Sequence, residues 1–308
     1  MLNRHPEIAI CRETDYYHYV YRRRRAFGNL SDPRNRERLA KEYLSTQRMQ
    51  RMRVDLRTLE TMLLREGDSY KAFFSTLLGF YAQTHGKRRC GEKTPQHALF
   101  TETLCAWYPG GTVIHLVRDP RDVIASLLRL PSAPNNVIGN ANLWLRDNRA
   151  ARQSRNSSQY LLVYYEQLVS HPEEELRRIC AFIGEGYSPA MLIPNWDVTA
   201  DRPWLRRAEE PVTTERLGKW REELTPEEVA LVEWVVGPEM RRFGYEPAGR
   251  SPSYNAIGRT LLFAAWDAVS RRAGEFPGMW YSATRSRQLA KEEAAKERYR
   301  NRTFSLFH

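Results

Sequence analysis

The clearest change in hydrophobic spacing along the chain falls between residues 112 and 129. Residues 112–117 form a nearly continuous apolar run rich in β-branched side chains, which is typical of a buried strand. Beyond it, apolar residues recur at helical spacing, at Val123, Ile124, Leu127 and Leu128. Asp119 is a good N-cap, and Pro120 suits the first helical position because no amide donor is needed there. The pattern predicts a buried strand that leads directly into a helix beginning just after Arg118.

Similar patterns elsewhere predict alternating strands and helices. Short apolar runs at residues 8–11 and 160–165 are typical of buried strands, and the basic segment 87–97 is predicted to be a turn or a short strand. Helical spacing or helix-start signals predict helices over six segments: 35–65, 70–83, 98–108, 143–155, 170–183 and 225–244. Strands that alternate with helices predict an α/β domain with a central parallel sheet flanked by helices.

The pattern changes near Pro247, where the domain is predicted to close. Residues 1–247 then form one domain, and residues 248–308 form a basic, helical C-terminal extension. Residues 257–269 are amphipathic, which predicts a peripheral helix, with contact to a membrane surface as the alternative. The loop of residues 188–211 is long and rich in Pro, Trp and Arg, and such loops in compact domains are usually functional or disordered.

Candidate chemistry lies at the junction of the central strand and its helix. Arg118 is left at the carboxyl end of the strand, where open α/β sheets bind ligands, and Ser126 follows on the second helical turn. A guanidinium and a hydroxyl together suit a phosphate dianion. The alternative is that Arg118 pairs with Asp119 or Asp122 and that Ser126 fills an ordinary polar helix position.

Composition and charge indicate whether the chain folds and what kind of partner it binds. The chain of 308 residues has 42% hydrophobic and 28% charged residues, which is ordinary for a folded globular protein and excludes a disordered chain. The net charge of +11 predicts an anionic partner, such as a nucleotide, a nucleic acid, an acidic polymer or a membrane surface. Much of the excess lies in short basic runs, including residues 22–25 and 87–89, so a diffuse nucleic-acid groove is not required.

Residues 16–30 are crowded with tyrosine and arginine and are predicted to form either a helix or a mobile basic-aromatic loop. Aromatic side chains among arginines can stack on single-stranded nucleic acid. More often such a segment lines a cleft or packs on a domain surface, and this alternative is favoured here.

The four cysteines are far apart and lack the spacing of metal ligands, which predicts neither a metal site nor a disulfide framework. Cys105 and Cys180 lie in apolar helical contexts and are expected to be core thiols in a reducing compartment. No signal peptide is recognisable, and no apolar run approaches the ~18 to 20 residues that span a bilayer. A cytoplasmic protein is therefore expected.

Five motifs occur in order between residues 2 and 247. They are His5-Pro6-Glu7 with Glu13-Thr14, Lys93-Thr94-Pro95, Arg118-Asp119-Pro120-Arg121 with Ser126, residues 165–172, and Leu217-Gly218-Lys219-Trp220 with Gly244-Tyr245. This order and spacing resemble the sulfotransferases that use 3′-phosphoadenosine 5′-phosphosulfate (PAPS), most nearly the tyrosylprotein sulfotransferase branch. The resemblance implies a P-loop NTPase-like, three-layer α/β fold.

The resemblance also implies roles for individual residues. Arg118 and Ser126 would hold the 3′-phosphate of PAPS, and Tyr165 would lie by the adenine. Glu13 matches the catalytic base that deprotonates the acceptor hydroxyl, and Lys93 matches a lysine that neutralises charge growing during transfer. The alternatives are that Glu13 caps a loop and that Lys93 is a surface charge.

His97 is a secondary candidate for the base, because cytosolic sulfotransferases place a histidine close after a similar lysine. The spacing differs, so the alternative is that His97 caps or packs the helix that follows. In the cytosolic branch an Arg-Lys-Gly triplet reaches the 3′-phosphate. Here residues 213–216 occupy that region, and only their backbone or a hydroxyl is a candidate ligand.

Members of this family begin with a strand and a Pro-x-Ser-Gly-Thr-Thr loop whose amides hold the 5′-phosphosulfate. That loop would lie immediately before Leu2, and the sequence lacks it. Two explanations are considered: the chain starts at an internal methionine of a longer protein, which is favoured, or it is a degenerate member. Weak or no activity is expected of the chain as written.

The leading hypothesis is a sulfotransferase that moves a sulfuryl group from PAPS to a hydroxyl acceptor and leaves 3′-phosphoadenosine 5′-phosphate (PAP). The acceptor is expected to be a small molecule, a glycan or a peptide. No metal ion is expected to take part, and the protein is left as either a monomer or a homodimer. The alternative is a non-enzymatic or vestigial member that binds a 3′-phosphorylated nucleotide or a polyanion. Nucleic-acid binding is disfavoured, and it would weaken steeply with salt.

Overall fold

A computed structural model of the chain describes residues 1–129, 136–194, 210–258 and 262. The predicted Trp/Arg-rich part of the loop 188–211 and most of the C-terminal extension lie outside these residues. The chain divides into two compact units. The first comprises the described residues of Met1–Leu116, Ala150–Asp197 and Ala208–Val212, and the second comprises those of Val117–Arg149 and Thr213–His308.

The first unit contains two parallel strands, β1 (Ile8–Cys11) and β2 (Arg89–Glu92). Strand β1 matches the predicted apolar run, and β2 forms within the segment predicted to be a turn or a short strand. Their register pairs Ile8 with Arg89 and Cys11 with Glu92. Because parallel strands end at the same edge, the residues that follow Cys11 and Glu92 meet there.

Short and long helices surround this strand pair. They are α1 (Tyr16–Tyr19), α2 (Arg24–Phe27), α3 (Pro33–Leu44), α4 (Gln47–Gln50), α5 (Leu56–Glu66), α6 (Tyr70–Thr84) and α7 (Thr101–Trp107). Helices α3, α5 and α6 begin at Asp32, Asp55 and Ser69, whose side chains accept amide hydrogen bonds in the first turn. Helix α6 packs against both strands and against α5, as its apolar sequence predicts.

The tyrosine- and arginine-rich segment contributes to the core of the first unit. Tyr16 is fully buried and stacks on Phe74 of α6, with ring centroids 4.4 Å apart. Its hydroxyl donates a hydrogen bond to the carbonyl of Tyr70, and Tyr17 and Tyr21 pack half-buried against the same core. The segment therefore consists of short helices that pack against the unit, which agrees with the favoured alternative.

A second strand pair joins β3 (Val113–Val117) to β4 (Tyr160–Tyr164). Helices α10 (Tyr165–Ser170) and α11 (Pro172–Ile183) follow β4, and Gly184 ends α11 in the left-handed conformation, as predicted. Val163 of β4 packs with Leu176 and Ile179 of α11 in a small apolar cluster. Two bounds predicted around β4 and α11 are wrong: Tyr165 begins α10 rather than ending the strand, and Ser170 ends α10 instead of capping α11.

The second unit is helical and includes α8 (Pro120–Leu127), α9 (Val137–Gln153), α12 (Trp220–Glu223) and α13 (Pro226–Arg242), with α9 belonging to it as far as Arg149. Helix α8 begins as predicted, because Asp119 accepts the amide hydrogen bond of Arg121 and Pro120 occupies the first position. Thr225 and Glu228 form the predicted capping box of α13. Val232, Val236 and Met240 of α13 are fully buried.

None of the helices that the structure describes is both long and apolar enough to cross a bilayer. All four cysteines carry free thiols, of which Cys11 and Cys180 are buried, Cys105 is half-buried and Cys90 is exposed.

Candidate active site

The edge where β1 and β2 end carries the candidate chemistry of the first unit. Glu13, Thr14 and Asp15 form the turn after β1, and Lys93 and Thr94 form the turn after β2. Asp15 has a φ of +49°, in the left-handed region that few residues other than glycine and the Asx pair adopt readily. This turn exposes Glu13 partly and sends Tyr16 into the core.

Glu13 and Lys93 are in direct contact, although 80 positions of sequence separate them. Lys93 Nζ lies 2.5 Å from Glu13 Oε1, and the side chains are 68% and 20% exposed. Burial of the Glu13 carboxyl raises its pKa, but the charges and hydrogen bonds of Lys93 and Arg48 outweigh burial and hold the pKa below its ordinary value. Glu13 is therefore an ionised carboxylate at neutral pH, in the protonation state that a base needs.

Arg48 is a member of this cluster that sequence reasoning missed. Its Nη1 donates to Glu13 Oε2 at 2.7 Å, and its Nε lies 2.7 Å from Asp15 Oδ2. Helix α4, which carries Arg48, is four residues long. It lies within residues 35–65, which the sequence predicts to be helical without separating the short helices in that segment. No motif marks this arginine, because its partners are brought to it by tertiary packing.

Glu92, the last residue of β2, lies beneath the two turns. Its side chain is 5% exposed, and Oε1 accepts hydrogen bonds from the amide and the hydroxyl of Thr14, each at 2.9 Å. The Thr94 hydroxyl also donates to Oε1. Burial raises the pKa of Glu92, but the interaction with His97 and the hydrogen bonds from Thr94 and Thr14 hold it below its ordinary value.

His97 is buried, and both of its ring nitrogens are engaged. Nδ1 lies 2.6 Å from Glu92 Oε2, and Nε2 accepts the amide hydrogen bond of Tyr17 at 3.3 Å. This pattern assigns the ring proton to Nδ1. The geometry favours the alternative for His97, in which it packs the structure around it, over the role of a base.

In the second unit, Arg118 precedes α8 and points its guanidinium at polar backbone. Its Nη2 donates to the carbonyl of Arg216 at 2.6 Å and lies 3.5 Å from Asp122 Oδ2. The contact with Asp122 was the alternative considered for this arginine, and it is present. Ser126 is half-buried one turn beyond Asp122, so the two side chains share a face of α8.

Asp122 organises the late segment next to Arg118. Its buried carboxylate accepts the amide hydrogen bonds of Gly218 and Trp220, each at 2.9 Å. Gly218 has a φ of +71°, in the left-handed region where side chains other than that of glycine are strained, so the turn favours glycine. The backbone of the late segment is thereby fixed beside Arg118.

A second arginine, Arg121, locks the start of α8. It bonds Asp119 through two nitrogens, at 3.0 and 2.7 Å, and Glu233 of α13 through a third, at 2.9 Å. Its guanidinium also lies 4.2 Å from the ring centroid of Trp220. Arg121 is buried, and all three of its guanidinium nitrogens donate hydrogen bonds within the unit, so it stabilises the structure. Of these two arginines, Arg118 is the one that borders solvent, with 17% of its side chain exposed.

Tyr165 is the first residue of α10 and is half-buried. Among the residues that the structure describes, no His, Cys, Asp or Glu side chains are grouped as a metal site would require. The structure thus brings Glu13 and Lys93 together, sets Arg118 beside Asp122 and the late segment, and engages His97 elsewhere.

Comparison with known proteins identifies the family. The profile of the sulfotransferase family matches residues 1–189, and the chain belongs to that family. It is 26% identical over 201 residues to a Caenorhabditis briggsae protein named "Putative protein-tyrosine sulfotransferase", covering 61% of this chain and 71% of that one. It is 34% identical over 137 residues to carbohydrate sulfotransferase 7 of Mus musculus, covering 39% of this chain and 28% of that one.

The fold agrees with this assignment. The sulfotransferase domain from the curacin biosynthetic pathway superimposes with a TM-score of 0.52 at 16% identity, over 80% of this chain and 91% of that one. The predicted α/β fold is confirmed, as is the predicted class: a PAPS-dependent sulfotransferase near the tyrosylprotein branch, which transfers a sulfuryl group to a hydroxyl acceptor.

Proposed function

We propose that Glu13 and Lys93 carry out sulfuryl transfer in this chain and that Arg118, Ser126 and Tyr165 hold the PAPS donor. The observation that carries the proposal is the contact between the Glu13 carboxylate and the Lys93 ammonium at the shared end of β1 and β2. A base and a cation in contact, on turns that directly follow paired strands and partly open to solvent, suit an in-line transfer from a phosphosulfate.

Glu13 accepts the proton of the acceptor hydroxyl. As the acceptor oxygen forms its bond to sulfur, the bond between sulfur and the phosphate oxygen of the donor breaks, and PAP leaves with that electron pair. Lys93 stabilises the negative charge that grows on the leaving oxygen. Its side chain is 68% exposed, so its ammonium can turn from Glu13 toward the transferring group.

That movement would also strengthen the base. Lys93 and Arg48 together keep the pKa of Glu13 low against the effect of burial. When Lys93 turns away, one of these two cations is withdrawn, so the proton affinity of the Glu13 carboxylate rises at the moment when it must accept a proton. Arg48 remains and keeps the carboxylate in place.

Arg118 suits the 3′-phosphate because its guanidinium lies just before α8 and borders solvent, with 17% of its side chain exposed. Asp122 and the Arg216 carbonyl orient this guanidinium, and Ser126 presents a hydroxyl on the same helix face as Asp122. Tyr165 offers an aromatic ring to the adenine. Residues 213–216 are the segment expected to reach the 3′-phosphate through their backbone or a hydroxyl. The hydrogen bond from Arg118 to the Arg216 carbonyl supports this expectation, because it places that backbone beside Arg118.

The acceptor is a hydroxyl of a peptide, a glycan or a small molecule. The names of the two relatives mention tyrosine in a protein and carbohydrate, and both present hydroxyl groups.

The test is a transfer assay with ³⁵S-labelled PAPS and three acceptors: a tyrosine peptide, an oligosaccharide and a small phenol. PAP and adenosine 5′-monophosphate (AMP) are titrated in parallel. Label transferred to one acceptor, with PAP bound more tightly than AMP, supports the proposal. PAP bound without transfer to any acceptor would favour the binding-module alternative, and RNA binding without PAP binding would contradict the donor site.

A further inference from the structure

Glu92 is a charged side chain that the proposed chemistry does not use, yet it is nearly as buried as the core. It closes β2 and pairs in register with Cys11 of β1. A carboxylate placed in a protein interior is costly unless hydrogen bonds satisfy it. Hydrogen bonds satisfy its Oε1, and His97 lies against its Oε2. These partners come from the turns that carry the proposed catalytic residues or from the segment behind them.

The donors to Glu92 belong to residues that directly follow the two candidate catalytic residues. Thr14 follows Glu13 and donates both its amide and its hydroxyl to Oε1, and Thr94 follows Lys93 and donates its hydroxyl to the same oxygen. The Thr94 oxygen in turn accepts the amide hydrogen bond of Asp15 at 3.2 Å. One carboxylate oxygen thus joins the turn after β1 to the turn after β2.

The other oxygen joins a third segment. Oε2 lies 2.6 Å from His97 Nδ1, and His97 Nε2 accepts from the amide of Tyr17, at the start of α1. The pair of Glu92 and His97 therefore ties the end of β2 to the helix that begins after the Glu13 turn. Glu92 thus holds the Glu13 turn at Thr14, and His97 holds the chain just beyond the turn at Tyr17.

We propose that Glu92 is a positioning residue for sulfuryl transfer, which fixes the turn of Glu13 to the turn of Lys93, and that His97 supports it. This inference rests on the proposed function. Glu92 touches no reacting atom. It acts through Thr14 and Thr94, each one peptide unit away from a residue that does, and a displacement of 1 Å in such groups costs about 100-fold in rate.

The test compares Glu92→Gln with Thr94→Val. The glutamine keeps an oxygen that can accept the hydrogen bonds of Thr14. Its amide group, however, is a donor and faces the protonated Nδ1 of His97, so two donors meet where a carboxylate oxygen now faces that proton. The valine keeps the shape of Thr94 and removes the hydroxyl that links Glu92 to the Asp15 amide. Glu239→Gln is the matched control, because this carboxylate is fully buried and paired with Arg242 in the second unit.

We expect kcat to fall about 100-fold in Glu92→Gln and by a smaller factor in Thr94→Val, with PAP affinity unchanged. The control should retain kcat even where it lowers the melting temperature. A loss of stability in Glu92→Gln with unchanged kcat would overturn the inference. If Glu92→Gln does not fold, unchanged kcat in Thr94→Val would overturn it equally.

A second readout does not depend on turnover: the pKa of the Glu13 carboxyl, followed by ¹³C NMR. Glu13 is faced by Lys93, Arg48 and Asp15, and Asp15 is in turn influenced by Glu92. Removing the charge of Glu92 alone would lower the pKa of Glu13. A rise in Glu92→Gln therefore reports that Lys93 has moved away, and it supports the inference.

A fall, or no change, in the pKa of Glu13 would contradict the inference. Transfer by wild-type protein is measured separately. A rise in the pKa with no transfer by the wild type would reject the proposed function while leaving the geometric role of Glu92 supported.

Discussion

The ammonium of Lys93 lies 2.5 Å from the carboxylate of Glu13. The two residues meet because each is carried by the turn after a strand, and the two strands are parallel neighbours in register. Neither residue is held by a helix of its own, so the distance depends on strand pairing and on the threonines that follow. This contact pairs a proton acceptor with a cation, and the predictions below depend on it.

Replacing Lys93 by methionine removes the ammonium and keeps the length of the side chain. We expect kcat to fall by about 100- to 1000-fold, because a cation aimed at developing charge contributes that much in comparable sites. Affinity for PAP should change much less than kcat. Steady-state kinetics with ³⁵S-labelled PAPS measure the first quantity, and titration calorimetry measures the second. Equal losses in both would assign Lys93 to donor binding instead.

Removing Arg48 should shift the pH dependence of turnover. Burial raises the pKa of Glu13, and the two cations lower it below the ordinary value. In Arg48→Met one of those cations is lost, so the pKa of Glu13 rises. Because the base acts as a carboxylate, the acid limb of the kcat profile should move to higher pH.

The control for Arg48 is Arg65→Met, which removes an exposed arginine of α5 that pairs only with the neighbouring Glu66 in the described structure. Its acid limb should coincide with that of wild type. An acid limb that stays in place in Arg48→Met would mean that a group other than Glu13 controls turnover at low pH.

Arg118→Lys should weaken nucleotide binding selectively. Lysine keeps the charge but loses the planar fork that bonds a phosphate through two nitrogens. We expect a loss of about 1.5–3 kcal/mol in PAP binding, the range for hydrogen bonds to charged groups. Binding of AMP, which lacks the 3′-phosphate, should be unaffected. Calorimetric titrations of both nucleotides decide this, and parallel losses would place the 3′-phosphate elsewhere.

Asp122→Ala should destabilise the protein. The substitution leaves the amides of Gly218 and Trp220 without their acceptor, and each such buried donor costs about 1–3 kcal/mol. Urea unfolding should therefore show a loss of about 2–6 kcal/mol in the free energy of unfolding relative to wild type. The exposed Asp68→Ala is the control and should change little. An Asp122 variant as stable as this control would show that solvent replaces the carboxylate.

Acid should destabilise the first unit through Glu13 and Glu92. Both have a pKa below the ordinary glutamate value of 4.5 in the folded state. The stability that they contribute is complete above the unfolded pKa and is lost as the pH falls through their folded pKa values. Unfolding free energies measured between pH 7 and pH 3 should fall less steeply in Glu92→Gln than in wild type.

The strand and helix around Arg118 could be predicted because their signals are local. Apolar spacing, an N-cap and a proline at the first position all lie within a few residues of the junction. The bounds of β1 followed for the same reason. Residues 16–30 carried no such signal, because the burial of Tyr16 depends on Phe74, which lies far along the chain.

The candidate site could be predicted only in part. Glu13, Lys93 and Arg118 came from their motifs and the resemblance that those motifs support. Arg48 could not be found, since its contacts with Glu13 and Asp15 arise from packing of a four-residue helix. The same limit affected His97: its sequence position suggested a base, and only the fold reveals that Glu92 and Tyr17 engage both ring nitrogens.

The most direct test is Glu13→Gln, assayed for transfer from ³⁵S-labelled PAPS and for PAP binding beside wild type. We predict that wild type transfers label weakly to a hydroxyl acceptor and that the variant is slower than wild type by at least about 100-fold, because it lacks the base. PAP affinity should be the same in both proteins. Equal transfer by the two proteins, or no transfer by wild type that binds PAP, would contradict the assignment of Glu13 as the base of a sulfotransferase.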